Sequence, residues 1–347
     1  MDNIAHALTG AALGETGLKR LTGLGMPALV LGANLADLDV LGVLAGEGLA
    51  WRRGWTHGPL ALVTLPAALA VALMAFDRWQ TRRGTRPAAR VPVNLKPLVL
   101  LTFIGALSHL LLDFLNTWGI RLLMPFSERW FYGDALFIVD PWIWLALGLG
   151  VWFSRRGAFA GAGLMRRPAT RALLGVAVYS SAMYAAGRGA EYVVDREFRA
   201  SGLGEPEHVL ASPVPADPFR REIFVQTADG YRFGDFRWTP WPRLTMDSEV
   251  VPTHMRDPAI ARAAAEHKRI ADFLYWSRYP FANIQKTDCG TRVTINDGRY
   301  SRRPDSGLLG ASVLLVDAGA MSGVTSPAGC GDSSGGASGG MGGARND

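Results

Sequence analysis

The chain has 347 residues, 49% of them hydrophobic, and a formal net charge of +6. That apolar share is ordinary for a soluble domain, but its distribution excludes one solvent for the whole chain. Apolar residues crowd into 1–187 and polar ones dominate from Arg188 onward. The basic excess sits largely in short loops between apolar runs. It forms no Lys/Arg stripe with stacking aromatics, so the expected partner is the lipid bilayer and not nucleic acid. Cys289 and Cys330, the two cysteines, form no metal-ligand spacing and leave a disulfide as an open option.

In chain order, residues 1–18 read as a partly embedded helix, with neither the basic start nor the continuous apolar core of a cleavable signal. Insertion is therefore expected to rely on internal spans. Residues 24–49 are long enough to cross but carry Asn34, Asp37, Asp39 and Glu47. Residues 59–76, 97–115 and 137–153 are nearly all apolar, close to the ~20 residues that cross ~30 Å of hydrocarbon. A shorter run, 172–187, is richer in small residues. Residues 77–96 hold Arg78, Arg82, Arg83, Arg86, Arg90 and Lys96; residues 154–171 hold Arg155, Arg156, Arg166, Arg167 and Arg171. Both loops are expected to be cytoplasmic, and 116–136 and everything after Arg188 to lie outside.

Residues 188–199 read as a polar helical exit and 205–218 as a Pro-rich linker. Alternation on both sides of Asp229-Gly230 predicts a hairpin over 222–238. Asp257-Pro258 predicts the start of a helix through about Tyr279. Strands are expected at 291–295 and 308–316, around an Asn296-Asp297-Gly298 turn. The expected fold is thus an all-α multi-pass membrane bundle of about 4–6 segments with a small C-terminal α+β soluble domain. Its parts are a membrane domain at 1–190, an exit helix and linker at 191–218, the soluble domain at 219–321 and a disordered Gly/Ser-rich tail at 322–347.

Three of the six histidines, His6, His57 and His109, lie in the apolar half, together with Asp37, Asp39 and Asp113. An ionisable group at the centre of a membrane helix costs roughly 2.5–3.5 kcal/mol, so several together call for a shared partner. A divalent cation, zinc above all, suits imidazole and carboxylate donors. His109 and Asp113 are four residues apart and share a helix face. In a helix Asp37 and Asp39 point about 200° apart. Either the segment breaks there or Asp39 stands behind a ligand and orients it. The loop charges place His57 and His109 at similar depth, near the outer interface. Asp140-Pro141 reads as a helix cap, and Arg53, beside His57, as a cation for an anionic group such as phosphate.

His6 to Gly10, Asn34-x-x-Asp37-x-Asp39, Arg53-Gly54-x-Thr56-His57 and His109-x-x-x-Asp113 together resemble the predicted membrane-bound metal-dependent hydrolases of bacterial inner membranes. The resemblance covers 1–141, with a looser similarity in the C-terminal domain. Members read Pro, His and Ser where this chain has Ala36, Arg52 and Gly58. The resemblance implies a hydrolase, with a faint likeness of the His-x-x-x-Asp helix to zinc-dependent phosphoesterases. The expected activity is therefore metal-dependent hydrolysis of a small-molecule or lipid-linked phosphoester. The metal ligands would come from His6, Asp37, His57, His109 and Asp113, with Asp39 and Arg53 assisting. A transporter or proton relay built on the same His/Asp cluster, or a membrane anchor that displays the C-terminal domain, remain the alternatives.

Overall fold

The computed structural model describes residues 1–45, 48–157, 163, 167–303 and 309–316. Glu47, Cys330 and the Gly/Ser-rich tail at 322–347 lie outside the described residues. The chain divides into two compact units, Met1–Val251 and Pro252–Asp347.

The first unit opens with α1 (Asn3–Glu15), capped by Asp2, whose carboxylate accepts from Ile4 N and Ala5 N. α2 (Gly25–Gly32) follows, then a 3-10 segment, Leu35–Ala45, and the single turn α3 (Gly48–Trp51). Residues 24–49 are therefore not one crossing. The α-helix stops at Gly32, and the polar group Asn34, Asp37 and Asp39 falls in 3-10 turns. α4 (Pro59–Arg82) and α5 (Leu95–Phe114) are the two described helices long and apolar enough to cross a membrane. Only 17% of the most apolar stretch of α4 is buried, so that surface needs an apolar solvent. α6 (Pro141–Arg156) begins at Asp140, which accepts from Trp142 N and Ile143 N. α7 (Pro168–Ala200) runs 33 residues, about 50 Å at 1.5 Å per residue.

α2 packs on α5 at unusually close range. A Cβ added at Gly32 would meet Thr102 O at 2.6 Å, and one at Gly105 would meet Leu29 O at 2.6 Å. Small residues let membrane helices approach in this way. Around this contact Leu24, Ala28, Leu29, Ala70, Leu73, Leu98 and Leu101 form one core. A second core joins α1, α6 and the start of α7 through Ala5, Ala12, Ile143, Leu147 and Ala169.

The C-terminal half of α7 packs on a four-stranded antiparallel meander, β1 (His208–Val214), β2 (Asp217–Thr227), β3 (Gly230–Arg237) and β4 (Arg243–Met246). Ala190, Val194 and Phe198 meet Ala211, Ile223, Val225 and Phe236 there. The hairpin expected at Asp229-Gly230 is β2–β3, closed between Thr227 and Gly230. Residues 205–218, expected as a linker, contain β1 instead. The buried run Leu210–Pro213 pairs with Phe224–Arg221 of β2, so the prolines sit within and beside a strand and do not mark a free linker.

The second unit holds α8 (Pro258–Glu266), α9 (Lys268–Trp276) and the meander β5 (Pro280–Thr287), β6 (Gly290–Asp297) and β7 (Gly310–Leu315). The single helix expected from Pro258 is broken at His267, whose backbone is extended. Asn296 and Asp297 end β6, and the turn expected there begins at Asp297, whose carbonyl accepts from Tyr300 N and Ser301 N at 3.0 Å each. The buried Asp297 accepts from Ser277 Oγ (2.6 Å), Arg278 N (2.8 Å) and Arg299 Nε (2.8 Å), which ties α9 to the sheet. Cys289 lies in the β5–β6 turn.

Candidate metal centre

α5 presents His109 and Asp113 one turn apart on one face, both with no exposed surface. The close approach of Gly32 and Gly105 brings the end of α2 over that face, and Ala33 O lies 2.8 Å from His109 Nδ1. A carbonyl only accepts, so Nδ1 carries the proton and the neutral ring leaves Nε2 with a bare lone pair. His57 arrives on the 3-10 turn Trp55–His57, just ahead of Pro59 at the first position of α4. Its Nδ1 lies 2.9 Å from Thr56 Oγ1, with Asp39 Oδ2 behind at 3.7 Å.

These placements bring three donor atoms into a nearly equilateral triangle. His57 Nε2 and His109 Nε2 are 3.2 Å apart, and Asp113 Oδ2 is 3.4 Å and 3.3 Å from them. Neighbouring donors of a tetrahedral ion with ~2.0–2.2 Å bonds stand ~3.3–3.6 Å apart. Asp37 supplies a fourth atom, all four lying within 4.8 Å of one another, so the group could hold a metal ion. With the His57 proton on Nδ1, two lone pairs and a carboxylate oxygen face each other with no proton among them. Asp113 Oδ2 forms an ion pair with Arg53 Nε at 3.1 Å, and the two imidazole lone pairs that face it fit a cation. If Thr56 donates to His57 Nδ1 instead, one proton can bridge His57 and His109, and that is the alternative arrangement of the same atoms.

The outer residues of the centre are held in turn. Asp39 accepts from Arg53 N (2.6 Å) and Arg52 Nη1 (2.7 Å), which fixes it behind His57. Both readings of the Asp37-x-Asp39 spacing therefore apply: the helix breaks, and Asp39 stands outside the donor triangle. Arg53 has φ 51°, a left-handed conformation costly for a side chain of its size. Its guanidinium turns inward, with Nε 3.1 Å from Asp113 Oδ2 and Nη1 donating to Asn116 Oδ1 (2.7 Å). It braces Asp113 and does not face an open anion site. His6 reaches the other oxygen of Asp113, at 3.3 Å, and its ring stacks on His109 with centroids 3.8 Å apart. The Met1 amino group also closes on Asp113 Oδ1.

Sequence reasoning gave no role to Thr56, which it quoted only within a motif, and did not single out Asn116 or the Ala33 carbonyl. Asn116, one turn past the aligned pair His109 and Asp113, carried the one readable signal. A backbone carbonyl carries none. The side chain of Asp37 is 11% exposed while His57, His109 and Asp113 have none. The surface beside it carries the exposed Leu38, Val40 and Leu41, with Trp51 and Trp55 nearby in the chain. Exposed tryptophans of this kind favour the headgroup level of a bilayer.

A family model described as YdjM inner membrane protein matches residues 1–190, more than half of the chain and the whole of this cluster. No curated protein and no solved structure matches the chain.

Proposed function

The chain belongs to the YdjM inner membrane protein family, and on that premise we propose that it is a membrane-embedded, metal-dependent hydrolase. The observation that carries this reading is the donor triangle of His57, His109 and Asp113. The ion would be held by these three and Asp37, with zinc the best match to the imidazole and carboxylate donors. When bound, it supplies a water of lowered pKa, ~7 for zinc, and polarises the scissile bond.

The chain's own groups do the rest. Ala33 O fixes the His109 tautomer, and Thr56 with Asp39 orients His57. Arg53, itself held by Asn116 Oδ1, pins Asp113. A carboxylate oxygen that the ion leaves unused would take the proton as general base. Arg52, 27% exposed and 3.9 Å from Asp37, is the first cation that an anionic substrate such as a phosphoester meets.

The reading also extends to topology. α6 and α7 join α4 and α5 as crossings, because Leu145, Leu149 and Phe153 of α6 and Leu174 and Val178 of α7 are exposed. Basic loops at 77–96 and 154–171 favour an orientation with the centre at the outer end of α5 and the C-terminal sheets on the periplasmic side.

Elemental analysis of purified wild type, His57→Ala and His109→Ala tests the centre, and hydrolysis of chromogenic phosphoesters before and after chelation tests the activity. Wild type should carry metal, each variant should lose most of it, and turnover should stop with the chelator and return with zinc. Full metal in both variants, or none in metal-replete wild type, overturns the centre and favours the bridged proton. That result would turn the cluster into a relay.

A further inference from the structure

A second feature of the apolar half lies outside the donor set. Between α5 and α7, with α1 at its back, runs a half-open groove of about 480 Å³, within the ~300–1,000 Å³ of small-molecule sites. Its walls include Leu112 and Leu115 of α5, Leu173 and Val176 of α7 and Thr9 of α1. Nearly all of the lining is hydrocarbon. Leu111, Leu174 and Val178, on the same two helices, are exposed, so the groove opens where the protein meets lipid. One buried wall group has no partner: Ser180, 6% exposed, whose hydroxyl makes no hydrogen bond. Ser108 donates to Gly105 O, Ser181 to Ala177 O and Thr9 to Ala5 O, and the Tyr184 ring is exposed.

The groove lies at the depth of the metal centre. Ser108 and Leu112 in its wall immediately precede His109 and Asp113, and Thr9 is one turn beyond His6. A ligand lying here is apolar along most of its length. It carries one polar atom within reach of Ser180, and one end near the cluster. We propose that the groove holds an acyl chain of the substrate, with its ester oxygen at Ser180, so that the substrate is a lipid phosphoester drawn sideways from the bilayer. This assignment rests on the hydrolase reading and narrows it from phosphoesters in general to membrane lipids. In the step itself the oxygen of water bonds to phosphorus and the phosphorus–oxygen bond to the leaving alcohol breaks. That alcohol oxygen takes one proton of the water.

The test uses the full-length protein in nanodiscs containing phosphatidic acid with a photoreactive group in one acyl chain. Wild type should be labelled within 108–115 and 173–184. Ala177→Trp, which fills the groove from its exposed side without touching the donor triangle, should cut that labelling several-fold, because the indole takes the space of the chain and leaves it the surrounding lipid as an equally apolar alternative. Metal content should stay at the wild-type level. The same variant should slow hydrolysis of long-chain phosphatidic acid and leave a soluble short-chain phosphoester unaffected. Labelling spread evenly over the other helices, or unchanged by Ala177→Trp, overturns the groove as a lipid site. Equal rates on the long-chain substrate for wild type and variant show that the bound lipid is not the substrate, and overturn the proposal in that form. If wild type labels in the groove but cleaves neither substrate, the hydrolase reading fails and this substrate assignment fails with it. Because labelling needs no turnover, the two failures remain distinguishable.

Discussion

Replacing Gly58 with serine sets two effects of known size against each other. Its backbone, φ −80° and ψ 171°, is one that any residue adopts, so conformational freedom is not at issue. It is the residue before α4 and offers no side-chain cap, so Gly58→Ser could gain a few tenths of a kcal/mol from capping. Space decides against it. A Cβ here would lie 1.9 Å from Met124 O, against the 3.0 Å below which real Cβ atoms are essentially never found. The loop must retreat by more than 1 Å. That loop is tied to the centre through Arg121 N, which donates to Arg53 O at 2.9 Å. Overpacking of this kind costs about 1–3 kcal/mol, several times the capping gain. Gly58→Ser and Gly58→Ala should both unfold several degrees earlier in detergent and bind metal more weakly than wild type, since His57 is the adjacent residue. Thermal unfolding with elemental analysis on the same preparations measures both. A Gly58→Ser protein at or above the wild-type midpoint, with full metal, would refute the reasoning.

Asp39→Ala should weaken metal binding by roughly 10–100-fold and not abolish it, because Asp39 orients His57 from 3.7 Å and lies outside the triangle; a metal titration reads this. Asp140→Ala removes the α6 cap and the acceptor of the Tyr179 hydroxyl (3.0 Å). It should cost about 1–3 kcal/mol in thermal melts with metal content unchanged. In the second unit, burial pushes the Asp297 carboxyl up, but the Arg299 guanidinium, with hydrogen bonds from Arg299 and Ser277, outweighs burial and holds it at about 2. A lowered folded pKa gives stability that is present above pH ~4 and lost as pH falls toward 2, on the order of 2–3 kcal/mol. Melts of the full chain from pH 6 to pH 2 should show this loss at the C-terminal sheet, and Asp297→Asn should flatten it. A cysteine at Thr85 should resist an impermeant reagent in intact cells; labelling from outside would invert the topology.

Much of the local structure was written in short stretches of sequence. Pro59, Pro141 and Pro168 each open a helix at the position where proline costs least. The four-residue spacing of His109 and Asp113 put them on one face, since that follows from helix geometry alone. Asp229-Gly230 marked its hairpin for the same local reason. The Pro-rich stretch at 205–218 misled, because strand β1 is decided by its pairing with β2 and by the underside of α7, neither of which is local. The long polar-spotted segment after Leu24 was ambiguous between a crossing and a break. The break at Gly32 became visible only with α5 in place. Sequence could name the residues with reason to share a partner, because ionisable groups in hydrocarbon need one. It could not give the 3.2 Å between His57 and His109, nor the carbonyl that fixes the His109 tautomer. The first needs the turn ahead of α4 brought to α5, and the second depends on how closely α2 meets α5. That distance is set by the missing side chains of Gly32 and Gly105, seventy-three positions apart, which in a sequence are two glycines among 41.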